Sequence, residues 1–518
     1  MAGLGLLTLG GLLLRLPSFD DSLFGDEVST YFIVTGHGVG QVLDWVRSDL
    51  EVTPPLFFVL AWATHSFGEP AEALRLMSLA AGVAAIPLTY LLGIWTVGRR
   101  AALLGAALMT LSPFLIFYST QARAYMLVLL LVLMATLALL RALETGRARW
   151  WIAYAAFACA AVYAHYVAVL VLAGLFGWSF LAHPRARRAL LAASLAAAVG
   201  FLPWVSGFLE DRNGPNLIGF FEPFGAQTVA RSLVRVAMGH PYARVGALPG
   251  AVAGAIAVAG VAAGLVGLAL RTRMRGLRPE AGTALVLVLA FSAPLLAALY
   301  SAFGTSVFNP QNLIASWPGL ALTAGALVAR AGRLGPLAAA LILAASALGA
   351  VKLLGADYQR PDYKAAVDYI EGMGSPRDPI VDEPFFANPI SALDAALGFG
   401  RADAKPNPTL RLGAPRREAE LRALARGRST LDPVPRPSTA AVARRAARLA
   451  RGRTLFLVAL SSRRSPALGS QVVSFMRALP PTFRRVATAS FAACCSPTIP
   501  DLSVRVYVLR DSRRRAAQ

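Results

Sequence analysis

Long apolar runs dominate the first two thirds of the chain. They fall at roughly 3–16, 73–97, 102–119, 124–141, 150–164, 167–182, 189–206, 248–270, 282–301, 312–330 and 335–355. A bilayer crossing takes about 20 apolar residues in helical form, and only helices and closed barrels satisfy the backbone in lipid. The pattern predicts a polytopic α-helical membrane protein with about eleven crossings. The first run, GLGLLTLGGLLLRL, has neither a basic leader nor a small-residue cleavage site, and it reads as a retained helix. A further apolar stretch, PPLFFVLAWATHSF (54–67), is too short to span and reads as an interfacial or re-entrant helix.

Beyond about residue 356 the periodicity changes. DYKAAVDYIEGM (362–373), opened by Pro361, has the spacing of an amphipathic helix, while DPIVDEPFF, RTLFLVAL and LSVRVYVLR read as buried strands. The Arg/Ala/Pro-rich stretch at about 400–452 reads as partly helical or poorly ordered. The expected organisation is therefore a transmembrane part, 1–355, that includes a first outer loop at 17–72, followed by an α/β domain at 356–518.

Composition supports the membrane assignment and orients it. The 518 residues are 56% hydrophobic and 15% charged, with a mean hydropathy of +0.57; soluble proteins carry about 25% charged residues. The formal net charge is +22. Arginine concentrates in the short connections at 98–100, 141–149, 183–188, 271–278 and 330–333. Alternating crossings bring all five to one face, the cytoplasmic one. The excess positive charge is read as orientation and contact with anionic lipid, with no nucleic-acid partner. The opposite face receives the acidic loop 17–72 and everything after 356. Three cysteines, Cys159, Cys494 and Cys495, imply no disulfide framework, and no cysteine or histidine stands in zinc-ligand spacing.

A few polar residues sit where these outer connections meet the membrane. Asp26 and Glu27 follow the first helix; they fit a solvated acidic loop, or a carboxylate made more basic by partial desolvation. Pro54 and Pro55, behind Thr53, fix the entry of a helix. Arg123, in YSTQARAYML (118–127), can reach the headgroups by snorkelling or hold an anionic phosphate with its planar donors. His165 and Tyr166 mark an outer hairpin turn, a place where aromatic-belt residues also gather.

Taken together these stretches resemble the bacterial GT-C membrane glycosyltransferases of the protein O-mannosyltransferase, family 39-like type. The resemblance rests on GDE (25–27), PPL (54–56), YSTQARAY (118–125), HY (165–166), NPQNLIASWPGLAL (309–322) and YKAAVDYI (363–370), in the family's order. It implies the GT-C fold and an inverting transfer of sugar from a polyprenyl-phosphate donor to a glycan, lipid or protein acceptor on the outer face of a bacterial plasma membrane. Asp26 would accept the acceptor's proton, Glu27 would orient the acceptor or hold the site, and Arg123 with Tyr125 would bind the donor phosphate. Thr53, Pro54, Pro55, Gln121, His165, Tyr166, Gln311 and Asn312 would line the cavity. No obligatory cofactor is implied, and a divalent cation is admitted.

The chain departs from the family pattern at three places. Thr53 replaces a His or Lys, Gln121 replaces a Glu, and Gln311–Asn312 replaces an Arg-Tyr pair. These losses keep open a catalytically inactive GT-C-like scaffold. A lipid or sugar transporter is the other alternative; it predicts inverted repeats, and none is visible.

Overall fold

The computed structural model describes residues 2–48, 50–213, 223–239, 250–275, 281–355, 360–384, 389–414, 436–462, 469–492 and 502–512. Cys494, Cys495 and the segment 415–435 lie outside the described residues, as do 214–222 and 240–247 of the loop 207–247 that alternation places on the outer face. The chain divides into two compact units. One comprises residues 1–19, 52–61 and 75–353; the other comprises 20–51, 62–74 and 354–518. The second grouping differs from the sequence-based division, which assigned the whole of 17–72 to the transmembrane part.

The first unit is helical throughout its regular structure. Each expected apolar run forms helix, from Ala2–Leu13 to Gly335–Leu353. Among the described residues, seven helices are long and apolar enough to cross a membrane. The pair Arg99–Leu111 and Pro113–Ser119, bent by 57°, makes an eighth if counted as one span. Ala2–Ser18 and Ala168–Ala182 are apolar but shorter, so the expected eleven crossings are not all matched by length. The stretch at 54–67 contains only the nine-residue helix Leu56–Thr64, about 14 Å of rise.

Small residues let the helices approach closely. A Cβ on Gly325 would lie 2.3 Å from the Ala101 carbonyl oxygen, and one on Gly319 would lie 2.4 Å from the Ala290 nitrogen. Helix Trp317–Arg330 thus packs backbone to backbone on Arg99–Leu111 on one side and on Ala281–Phe303 on the other. In lipid, where apolar contact between helices gains little over contact with acyl chains, such close packing is what holds them together.

The bend at Ser112–Pro113 has a local cause. Proline lacks the N–H that would continue the helix and is tolerated in the first turn of a new one. The Ser112 hydroxyl accepts from the Leu115 amide at 3.2 Å and caps that turn. The break leaves the last carbonyls of Arg99–Leu111 without helical partners. Arg15, 0% exposed, supplies the donors: Nη2 donates to the Met109 carbonyl at 3.2 Å and Nη1 to the Gly11 carbonyl at 2.7 Å, while Nε donates to the Ser119 hydroxyl at 2.9 Å. A cation at a helix C-terminus also complements the helix dipole.

The second unit is α/β. Its five-stranded sheet has the order β2–β1–β3–β5–β4, with β1 (Ile380–Glu383), β2 (Thr409–Arg411), β3 (Thr454–Ser461), β4 (Phe483–Ala492) and β5 (Ser503–Asp511). β1 runs parallel to β2 and β3, whereas β5 is antiparallel to β3 and β4. Each face is covered. Helix Tyr363–Met373 buries Tyr363, Ala366, Val367 and Ile370 against Phe456, Val458, Val506 and Val508. Helices Thr439–Leu449 and Ser470–Ala478 bury Val442, Val472 and Phe475 against Leu455, Leu457 and Leu509. The three expected strands are β1, β3 and β5, and the expected helix at 362–373 begins one residue later, with Asp362 as its cap accepting from the Ala365 amide at 2.9 Å.

Residues 20–51 join this unit through named bonds. The Lys364 amide donates to the Ser22 hydroxyl at 2.9 Å, the Lys364 ammonium donates to the Asp20 carbonyl at 2.7 Å, and the Tyr31 hydroxyl donates to the Phe399 carbonyl at 2.9 Å.

Candidate active site

In the helical unit the candidate residues gather around Arg123. This residue lies in the turn between helices Pro113–Ser119 and Tyr125–Thr145, and it is 7% exposed. Its Nη2 donates to the Thr53 hydroxyl at 3.1 Å, and its guanidinium carbon stands 5.7 Å from the centre of the Phe58 ring. Its own carbonyl accepts from the Ser78 hydroxyl at 3.0 Å. Thr53, counted as a loss at the sequence level, is therefore a partner of the cation. Pro54 and Pro55 are buried beside it in sequence, and the Pro55 carbonyl accepts the Val59 amide at 3.0 Å, the start of the short helix that carries Phe58.

Aromatic rings extend this neighbourhood. Tyr125 meets Tyr118 edge to face at 5.1 Å between centroids and lies 5.7 Å from the His165 ring. His165 closes helix Ala148–Ala164 in extended conformation, and its Nδ1 accepts from the Val167 amide at 3.3 Å. Tyr166 points to a different set of partners. Its hydroxyl donates to the Asp211 carboxylate and accepts from the Trp204 indole at 3.1 Å. Asp211 is a buried carboxylate that the sequence reading did not single out. Among the described residues, Oε1 of Gln121 is buried with no hydrogen-bond partner. A buried amide oxygen of this kind costs about 1–3 kcal/mol unless a ligand or water satisfies it. Asn312 is buried in the 3₁₀ segment Pro310–Ser316 and donates to the Val307 carbonyl at 2.9 Å; Gln311 beside it is half-buried.

The acidic pair lies in the α/β unit and divides there by orientation. Gly25, at φ 63°, turns the chain into helix Asp26–Val34. Successive helical residues point about 100° apart. Asp26 faces outward and is exposed, whereas Glu27 faces inward and is 0% exposed. The Glu27 carboxylate meets Arg360 Nε at 3.2 Å, and Arg360 Nη1 lies 3.5 Å from the Asp21 carboxylate. The Arg360 side chain is only 6% exposed. Glu27 is thus buried and ion-paired with Arg360, and Asp26 is the exposed carboxylate of the two. Arg360 was not foreseen; a lone arginine before Pro361 gives no local sign of a partner 333 positions earlier.

Among the described residues, no three His, Cys, Asp or Glu side chains cluster as metal ligands.

Residues 52–208 match the family model described as dolichyl-phosphate-mannose-protein mannosyltransferase. That stretch contains Thr53–Pro55, Gln121–Tyr125 and His165–Tyr166, but neither Asp26–Glu27 nor Gln311–Asn312. ArnT from Cupriavidus metallidurans in the apo state is similar along the chain, with 14% identity, a TM-score of 0.58 and 98% of each chain covered. The same protein bound to undecaprenyl phosphate gives 15% identity, a TM-score of 0.58 and 97% of each chain covered. No curated protein matches the chain by sequence. The chain has the GT-C fold that its motifs suggested, and it is a multi-span membrane protein.

Proposed function

We propose that the chain is an inverting glycosyltransferase that moves a sugar from a polyprenyl-phosphate donor to an acceptor in the cell envelope. The observation that carries this reading is Arg123: a buried guanidinium, held by Thr53, inside the stretch that matches the mannosyltransferase family model. A charge at the membrane boundary that is costly to bury is a functional group by default, and a guanidinium suits phosphate oxygens.

In the proposed reaction Asp26 accepts the proton of an acceptor hydroxyl. The freed oxygen lone pair attacks the anomeric carbon, and the bond from that carbon to the phosphate oxygen breaks. The lipid phosphate leaves with the bonding electrons. Arg123 stabilises the negative charge that develops on it, a contribution worth about 10²–10³ in rate for a single fixed donor of this kind. Glu27 and Arg360 hold the helix that presents Asp26. The proposed step requires no metal ion, and Gln121 meets the substrate through its buried Oε1.

The site is assigned to the outer side of a bacterial plasma membrane, with residues 354–518 on that side. The segregation of the five arginine-rich connections supports this orientation.

Membranes containing the protein, supplied with radiolabelled polyprenyl-phosphate sugars one at a time, test the reading. One donor should label an envelope product. Asp26→Asn should lower that labelling by about 10²–10⁴, the range of a general base, and Arg123→Ala should abolish it. Full labelling by Asp26→Asn, with the protein at normal abundance, refutes the proposal.

A further inference from the structure

We propose that the α/β unit carries a binding site for an organophosphate, at the end of the sheet where β3 begins and β5 ends. The proposal concerns this unit alone and does not rest on the transfer reaction. A cavity of about 510 Å³ opens there. Separate segments build its wall: Arg377 comes from the turn before β1, Arg453 from the turn before β3, Thr454 from the first position of β3, and Arg510 from the end of β5.

The charges in this wall do not cancel. The one carboxylate lining it, Asp378, is buried and accepts the Ser375 amide of its own turn at 2.9 Å. Three arginines less one aspartate leave a formal +2. Arg453 donates from Nη1 to the Arg377 carbonyl at 2.9 Å, which ties the two turns together with one of its five N–H donors.

Strand register supplies a second, independent sign. Arg510 pairs with Thr454 on β3 and stands directly opposite Arg484 on β4. Directly opposed residues project to the same face with Cβ atoms about 4.5–5.5 Å apart, and like charges there are destabilising. Both arginines are exposed. An anion on this face removes the repulsion.

The chemistry of the ligand follows from these features. Guanidinium forks match phosphate oxygens in pairs, and the +2 wall matches a phosphomonoester dianion. The volume lies within the range of about 300–1,000 Å³ usual for small-molecule sites, so the cavity has room for the group esterified to the phosphate as well. A soluble phosphate ester and a lipid headgroup share this chemistry.

The test uses the full chain in phosphatidylcholine nanodiscs at low salt, titrated calorimetrically with glycerol phosphate and, separately, with short-chain phosphatidic acid. The wild type should bind at least one of them saturably. Binding of glycerol phosphate identifies a soluble ester as sufficient; binding of phosphatidic acid alone identifies the lipid form. The double variant Arg453→Gln/Arg510→Gln should weaken binding at least tenfold, while Arg444→Gln, an exposed arginine on helix Thr439–Leu449, should leave it unchanged. In phosphate-free buffer Arg510→Gln should melt at or above the wild-type temperature, because it removes a like-charge pair. No binding of either probe overturns the proposal. So does an equal loss in Arg444→Gln, which would reduce the effect to net charge, and so does a lower melting temperature for phosphate-free Arg510→Gln.

Discussion

Replacing Arg360 by methionine isolates the contribution of the buried pair behind Asp26. In the wild type the Glu27 carboxylate and the Arg360 Nε are 3.2 Å apart, with side-chain exposures of 0% and 6%. At an effective dielectric constant of about 20, unit charges at that separation attract by about 5 kcal/mol. Much of this offsets the desolvation of the two ions, so the pair is a poor source of net stability. Losing one partner is another matter. Arg360→Met breaks a buried ion pair by removing one partner of Glu27, which costs about 3–5 kcal/mol. Three kcal/mol is more than a hundredfold in a local opening equilibrium. Hydrogen exchange on the full chain reads this directly: the amides of Asp26–Val34 should exchange about 100-fold faster in Arg360→Met. Glu27→Gln should be milder, because Arg360 keeps the Asp21 carboxylate at 3.5 Å. The double variant should recover most of the protection, with a coupling of about 2 kcal/mol or more between the two sites. If Arg360→Met changes exchange in this helix by less than tenfold, or if the double variant is worse than the sum of the singles, the pair does not hold the helix.

Three further outcomes follow from other contacts. Thr53→Val removes the acceptor of the 3.1 Å bond from Arg123; hydrogen bonds to charged groups contribute about 1.5–3 kcal/mol, so kcat/KM for the lipid-linked donor should fall about 10–100-fold, and an unchanged value would detach Thr53 from the site. Gly325→Val places a branched side chain where the Ala101 carbonyl already lies 2.3 Å from a bare Cβ; the variant should lose thermal stability in detergent, whereas Gly10→Val, with nothing within 4 Å of its Cβ, should not. Burial pushes the Glu383 carboxyl above its ordinary value of 4.5, with the Gln471 amide pulling it partly back. A raised folded value means that the protonated form stabilises the α/β unit below about pH 4.5 and that this contribution is lost as pH rises through the folded value. Glu383→Gln should therefore match the wild type in acid and melt higher at pH 7; a variant that melts lower at pH 7 contradicts the sign.

The parts of this molecule that hydropathy makes legible are those in which one force acts along a continuous stretch. The apolar runs became helices because lipid leaves the backbone no other partner. β1, β3 and β5 were legible because they are the interior strands of the sheet, each with buried apolar residues. β4, FRRVATASFA, was missed because it is an edge strand; such strands carry charge on their open side. β2 was missed because three residues are too few to show a period. The candidate site was legible where residues cluster in sequence, as at 118–125, and illegible where a partner arrives from far away. Arg360 gave no local sign. Arg15 did give one, since it is an arginine inside an apolar run, and the reasoning that singled out Arg123 applies to it equally. The structure separates the two cations by what they meet. Arg15 spends its donors on the Gly11 and Met109 carbonyls and on Ser119, which fixes the bent segment that leads to Arg123. Arg123 donates to the Thr53 hydroxyl, 70 positions earlier, and stands over the Phe58 ring. Arg123 also lies within 52–208, the stretch that matches the mannosyltransferase family model, whereas Arg15, Asp26 and Glu27 fall outside it; for this reason Arg123, more than the acidic pair, carries the proposed transfer.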